Sequence, residues 1–279
     1  MLLGLCLGGS TVLAGLGGIC TAPTVFAADT VDKTYDDTNW HGTWDVTSAD
    51  TLTLKNSSTG FSMVNSEASF GTVNVIGGQF YADQGSVGTP NVERIKNISI
   101  LQAIKLKVEN AEGYTSGVTL EGTANVGNLN LANSASAVNL ADTAQITGTA
   151  VISAGTLNAG YVKHDWNAGT TSDQSYSGTI NVLDLEGSSS LTLYKSDLLT
   201  NTLIYNTTGT VTNDDKRTVT TNALTLGSSM TADQLSNMKK LNLMAQNSTG
   251  LAITNNSSLD DAAAAALINA GTVSVVDAD

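Results

Sequence analysis

The sequence predicts an all-β chain, folded as a right-handed parallel β-solenoid with short helix–strand elements at its C-terminal end. Three observations lead there. Short bursts place β-formers at i and i+2, the period of a strand with one buried face. The bursts recur about every 20 residues, the length of one solenoid turn. Side chains are small, for only 5% of the 279 residues are aromatic and two are proline, while 41% are hydrophobic and the chain is expected to fold. An antiparallel β-sandwich is the alternative, because it too shows short strands separated by turns.

The bursts run in order: TLTL at 51–54, TVNV at 72–75, ISIL at 98–101, IKLKV at 104–108, GVTL at 117–120, NLNL at 128–131 and AVNL at 137–140. TINVLDL at 179–185, LTLY at 191–194 and ALTL at 223–226 complete the series. Gly, Asn, Asp or Ser separates most of them, which is turn chemistry. Apolar starts at Leu52, Val73, Ile98, Val118, Val138 and Leu157 lie 21, 25, 20, 20 and 19 residues apart. Ile180, Leu203 and Leu224 continue the spacing.

Stacked turns sit about 4.8 Å apart, so like residues form ladders of Val, Leu, Asn or Thr, and bulky rings fit poorly. A sandwich of this size would spend several Trp, Tyr or Phe on its inter-sheet core. The low-complexity stretch at 127–160, GNLNLANSASAVNLADTAQITGTAVISAGTLNAG, therefore reads as two coils and not as a linker. Leu129, Leu131, Val138, Leu140, Ile146, Val151 and Leu157 are its expected buried residues.

The ends differ. Residues 1–27 are uncharged, apolar and glycine-rich, and Val25 and Ala27 supply small residues before Ala28, which predicts an export signal. A membrane anchor is the competing reading, disfavoured by five glycines between Gly8 and Gly18. The absence of Lys or Arg before Lys33 places the expected start upstream. Residues 28–50 are expected to form an N-terminal cap and 51–228 the solenoid. From 229 to 279 the pattern changes. Thr231 with Gln234 forms a capping box, Leu235, Met238 and Leu241 follow at helical spacing, and LNLM reads as a strand. Ser258, Asp261, an alanine run and Gly271 repeat the scheme before VSVV. These units are expected to cap the solenoid or to begin a further domain.

Both cysteines, Cys6 and Cys20, fall in the export segment, so a mature chain would hold no disulfide. A net charge of −13 disfavours nucleic acid and anionic membranes as partners.

All three tryptophans and both histidines cluster in NWHGTWD and KHDWNAG. Trp40, His41 and Trp44, with His164, Asp165 and Trp166, are the candidate ligand-binding residues, since Trp stacks on a sugar ring while Asp and His bond its hydroxyls. The structural alternative is that Trp40 and Trp44 plug the end of the solenoid and Trp166 fills a loop interrupting the coils. No catalytic set is recognised: GxSxG is absent, and adjacent His164 and Asp165 point to opposite sides of an extended backbone. The chain has two arginines, Arg94 and Arg217, too few for a polyanionic substrate. Asp36-Asp37, Asp214-Asp215 and Asp260-Asp261 lack calcium-loop spacing and read as turns or a helix start. Neither cofactor nor metal is expected.

An export signal ending VFA-AD, a cysteine-free mature chain, an acidic surface and glycine-spaced strands resemble the passenger region of bacterial autotransporter or hemagglutinin-like adhesins. The resemblance covers about residues 50–226 and is compositional and periodic. It implies a surface-displayed solenoid on the exterior of a bacterial outer membrane; the departure from the family is that no carboxy-terminal series of barrel strands follows, so the expectation is either a fragment or secretion through an outer-membrane translocator not encoded in this chain. The expected function is thus a non-enzymatic, exported, adhesin-like surface protein whose partners are host or bacterial surface glycans or proteins. A self-assembling surface-layer or envelope subunit is the alternative, and a glycan-active β-helix enzyme a third.

Overall fold

The structure, a computed structural model, describes residues 33–35, 49–54, 60–64, 70–75, 79–83, 95–100, 117–165, 168–228, 230–247, 250–260 and 273–277. Its strands are β1 (Lys33–Tyr35), β2 (Ala49–Leu54), β3 (Gly60–Val64), β4 (Phe70–Val75), β5 (Gln79–Asp83), β6 (Ile95–Ile100) and β7 (Gly117–Glu121). Two long strands follow, β8 (Asn125–Leu140) and β9 (Gln145–Ala159), then the hairpin β10 (Tyr161–Asp165) and β11 (Thr170–Gln174). Beyond it come β12 (Thr179–Gly187), β13 (Ser190–Leu193), β14 (Leu198–Thr207), β15 (Val211–Thr212), β16 (Val219–Thr221) and β17 (Ala223–Leu226). A short helix α1 (Ala232–Met238) and a 3-10 turn (Lys239–Leu241) precede β18 (Leu243–Ala245), β19 (Leu251–Asn255) and β20 (Val273–Asp277).

Among the described residues, all strands except β10 and β11 belong to one sheet, and every pairing given for it is parallel. The antiparallel sandwich is therefore not the fold. The chain alternates between two ladders. The first runs β1, β2, β4, β6, β8, β9, β12, β14, β17, β19 and β20, with Leu52, Val73, Ile98, Leu129, Ala150, Leu183, Leu203, Leu224, Ile253 and Val275 in register. The second runs β3, β5, β7, β8, β9, β13 and β15 and aligns Val118, Val138, Leu157, Leu191 and Val211. A third, short ladder stacks Leu198, Val219 and Leu243.

Apart from Val275, whose side chain lies outside the described set, all these ladder residues are buried. They meet inside each turn as one apolar core, and each fully buried aliphatic contributes about 1.5–3 kcal/mol. The strands following residue 228 stack on the same ladders through β16–β18, β17–β19 and β19–β20.

The sequence period holds but its phase slips. Leu52, Val73 and Ile98 lie on the first ladder, Val118, Val138 and Leu157 on the second, and Leu203 and Leu224 on the first again. Ile180 occupies a third position, paired with Ile146 and Thr200. The cause is insertion. On the first ladder most steps span 20 to 25 residues, but Ile98 to Leu129 spans 31, Ala150 to Leu183 spans 33 and Leu224 to Ile253 spans 29. The hairpin β10–β11 fills the second excess and α1 with its 3-10 turn the third.

Residues 127–160 form the stacked pair β8 and β9, two consecutive turns. Val151 departs from expectation: it is half-buried on the outer side, and Ile152 takes the core position. The ring argument also needs correction, because Tyr205 is fully buried in the ladder between Leu185 and Leu226, and Tyr176 is buried too. The Thr231 capping box forms, with the Gln234 N–H donating to Thr231 Oγ1 at 3.5 Å and Thr231 N–H donating to Gln234 Oε1 at 2.5 Å. Met238 and Leu241 are buried, as the spacing predicts; of LNLM only Leu243 and Met244 are strand, at the start of β18, while Leu241 closes the 3-10 turn, and VSVV lies in β20. The strand IKLKV, the export segment, the alanine run and the Leu235 side chain lie outside the described residues.

Candidate functional site

In a strand the residues flanking a buried one face outward. On the first ladder this creates two files of outward side chains beside the core column. One file is Thr51, Thr72, Asn97, Asn128 and Thr149; the other is Thr53, Asn74, Ser99, Asn130 and Val151. All ten are half-buried or exposed and none is ionisable. Over β4, β6, β8 and β9 all of them but Asn74 line an open groove of about 420 Å³, with the buried Ile98 and Leu129 at its base.

The groove is held by side-chain amides. Asn97 Nδ2 donates to Gly71 O at 3.2 Å, and Asn128 Nδ2 donates to Asn97 Oδ1 at 3.2 Å. Asn128 Oδ1 then accepts the Thr149 N–H at 2.9 Å. The register shifts here, because three residues of β9 oppose two of β8 between the Val126–Ile146 and Leu129–Ala150 pairs, a β-bulge. Gly148 sits in it, and a Cβ there would collide with Asn128 Oδ1.

Two further amide ladders run along the stack. Asn158 Nδ2 donates to Asn139 Oδ1 at 2.8 Å, and Asn139 Nδ2 donates to Thr119 Oγ1 at 3.4 Å. Asn201 donates to Asn181 at 2.9 Å, Asn222 to Asn201 at 3.5 Å and Asn247 to Asn222 at 3.3 Å. Stacked amides add stabilisation to in-register strands.

Of the tryptophan–histidine candidates, His164 and Asp165 are placed in β10, opposite Thr171 and Thr170 of β11, and their side chains lie outside the described set. Trp166, Trp40, His41 and Trp44 lie outside the described residues. The hairpin does interrupt the turns, as the structural alternative expected of this segment. It departs from the stack at Gly160, whose φ of 76° suits glycine and where a Cβ would meet Tyr194 O.

Both hairpin strands are tied down. Lys163 Nζ bonds both Glu121 carboxylate oxygens at 3.0 Å and the Tyr161 hydroxyl donates to Glu121 Oε2 at 3.2 Å. The Tyr194 hydroxyl donates to Asp173 Oδ1 at 2.6 Å, and Lys195 pairs with Asp173 Oδ2. Hydrogen bonds from Lys195 and then Tyr194 hold the Asp173 carboxyl below the usual range.

One acidic residue interrupts the outer file. Asp184 pairs in register with Val151 on one side and Ile204 on the other, and burial there, with Glu186 adding repulsion, pushes its carboxyl up. Among the described residues no group of three His, Cys, Asp or Glu side chains could hold a metal ion. Asp214 and Asp215 sit in a turn, where Asp215 Oδ2 accepts the Lys195 N–H at 3.2 Å.

The groove residues were not singled out from sequence. Their signal lay in the polar positions of T-V-N, N-I-S and N-L-N, which flank a ladder residue on both sides. No family model, no curated protein and no solved structure matches this chain.

Proposed function

We propose that this chain is an exported, non-enzymatic surface protein of the adhesin-like passenger type, folded as a right-handed parallel β-solenoid that binds through its lateral face. The hand follows the general rule for crossovers between parallel strands. The observation that carries the reading is the pair of uncharged outer files on successive turns: similar, mostly hydroxyl and amide groups repeated along an axis suit binding spread over many weak contacts. An acidic net charge and the absence of cysteine after residue 20 accord with export and display. Residues 1–27 act as the leader, and sequencing of the secreted chain is expected to begin at Ala28.

The test is adhesion. Cells displaying the chain are expected to bind host cells or matrix, and binding should fall when β8 and β9 are removed. Undiminished adhesion by a strain lacking the gene would sink the proposal. Concentration-dependent filaments or sheets of the purified protein would favour a self-assembling envelope subunit instead.

A further inference from the structure

We infer that the groove across β4, β6, β8 and β9 takes a neutral polysaccharide, with the polymer running along the stack axis. The inference rests on the adhesive reading and names its ligand class.

Charge selects that class. Thr72, Asn97, Ser99, Asn128, Asn130 and Thr149 offer only hydroxyls and amides, so among the described lining residues an anionic polymer finds no cation and a cationic one no carboxylate. The chain as a whole carries −13 and repels polyanions at longer range. Hydroxyls and primary amides both donate and accept, which matches a ligand whose own groups are hydroxyls.

Shape selects a polymer. The groove is open and spans four stacked strands, whereas a site for a small molecule encloses most of its ligand. Equivalent groups recur about every 4.8 Å along the axis, a step on the scale of one sugar unit in an extended chain. Successive sugars therefore meet uncharged hydroxyl and amide groups on successive turns, with the Val151 side chain as the apolar contact on the outer side.

The site is also prepared. The amide relay from Gly71 through Asn97 and Asn128 to Thr149 fixes two of the ligating side chains before any ligand arrives, which lowers the entropy cost of binding. The bulge at Gly148 re-aims β9 within the groove, a device common beside binding sites. Thr72, Ser99 and Asn130 make no side-chain hydrogen bond to the described residues and are available to a ligand.

Affinity electrophoresis of the full chain through gels containing mixed-linkage β-glucan, mannan or galactan tests the inference, with polygalacturonate and chitosan as charged comparisons. At least one neutral polymer should retard the protein, equally at low and high salt. Asn130→Asp and Ser99→Asp should each weaken retardation about tenfold or more, equivalent to about 1.4 kcal/mol, with unchanged melting curves. Thr212→Asp, exposed on the other ladder, should bind as wild type. Retardation by the charged polymers alone, or equal binding by all three variants, would overturn the inference. If no neutral polymer binds but displaying cells still adhere, the ligand class fails and the adhesive role survives; if neither occurs, both fail.

Discussion

Val138→Asp separates a stacked turn from a linker. Val138 is fully buried, with Val118 on one side and Leu157 on the other in register, and both are buried as well. A carboxylate placed there has no partner and costs about 3–5 kcal/mol at neutral pH. Val138→Ala removes only apolar volume and should cost about 2 kcal/mol. For a chain of this size, the Asp variant is expected to melt roughly 6–20 °C below wild type. Ser134→Asp, four residues earlier and exposed, should melt with wild type. Thermal unfolding followed by far-UV circular dichroism is the assay. It has a pH signature too: the apolar site raises the new carboxyl's pKa, so its penalty is present at neutral pH and shrinks as acid protonates it. Equal melting temperatures for Val138→Asp, Ser134→Asp and wild type would refute the stacking of β8 on β9.

Deleting residues 183–202 removes one 20-residue turn and brings Leu203 into register beneath Ala150; a cooperative melt is expected, whereas deleting residues 183–192 should abolish it, and equal melts for the two would refute the ladder. Asp184→Asn should raise the melting temperature at neutral pH. Burial raises the Asp184 carboxyl's pKa in the folded state, so ionisation costs stability as pH rises through the normal carboxylate range, and the gain from Asn should vanish in acid; a gain that grows in acid would contradict this. Tyr205→Phe removes a buried hydroxyl that has no hydrogen-bond partner among the described residues and should be neutral or stabilising by about 1 kcal/mol in urea unfolding; a clear loss would reveal a partner. Burial also pushes the Tyr205 phenol up to about 12, so its ultraviolet ionisation should come at higher pH than that of a free phenol.

Strand positions were legible where polar and apolar residues alternate, because a half-buried strand imposes a period of two on its own sequence. TLTL, TVNV, NLNL and ALTL all form strands whose central Leu or Val is buried. Phase was harder. Val118 and Val73 look alike locally, yet they stand on different ladders, since only long-range pairing tells one side of a turn from the other. Val151 misled for a related reason: it is in step with Leu157, but the in–out alternation breaks at Ser153 and Ala154, before Gly155 with its φ of 79°, so upstream of that corner Ile146, Ala150 and Ile152 face inward and Val151 outward.

A corner motif was present in the sequence and went unread. In LLTNTLIY at 198–205 and VTTNALTL at 219–226, the buried Thr200 and Thr221 each donate to the carbonyl two residues on, at 2.9 Å. The asparagine after each joins the outer ladder. The groove was illegible because its residues are ordinary Thr, Asn and Ser, and chemistry arises only when turns far apart in sequence bring them side by side.

The most direct test of the account is adhesion by cells displaying the wild-type chain, Asn130→Asp or Thr212→Asp, scored on one host surface under flow. Binding through the lateral face predicts that wild type and Thr212→Asp adhere equally while Asn130→Asp detaches at clearly lower shear, with all three displayed in equal amounts. Equal adhesion by all three would contradict it.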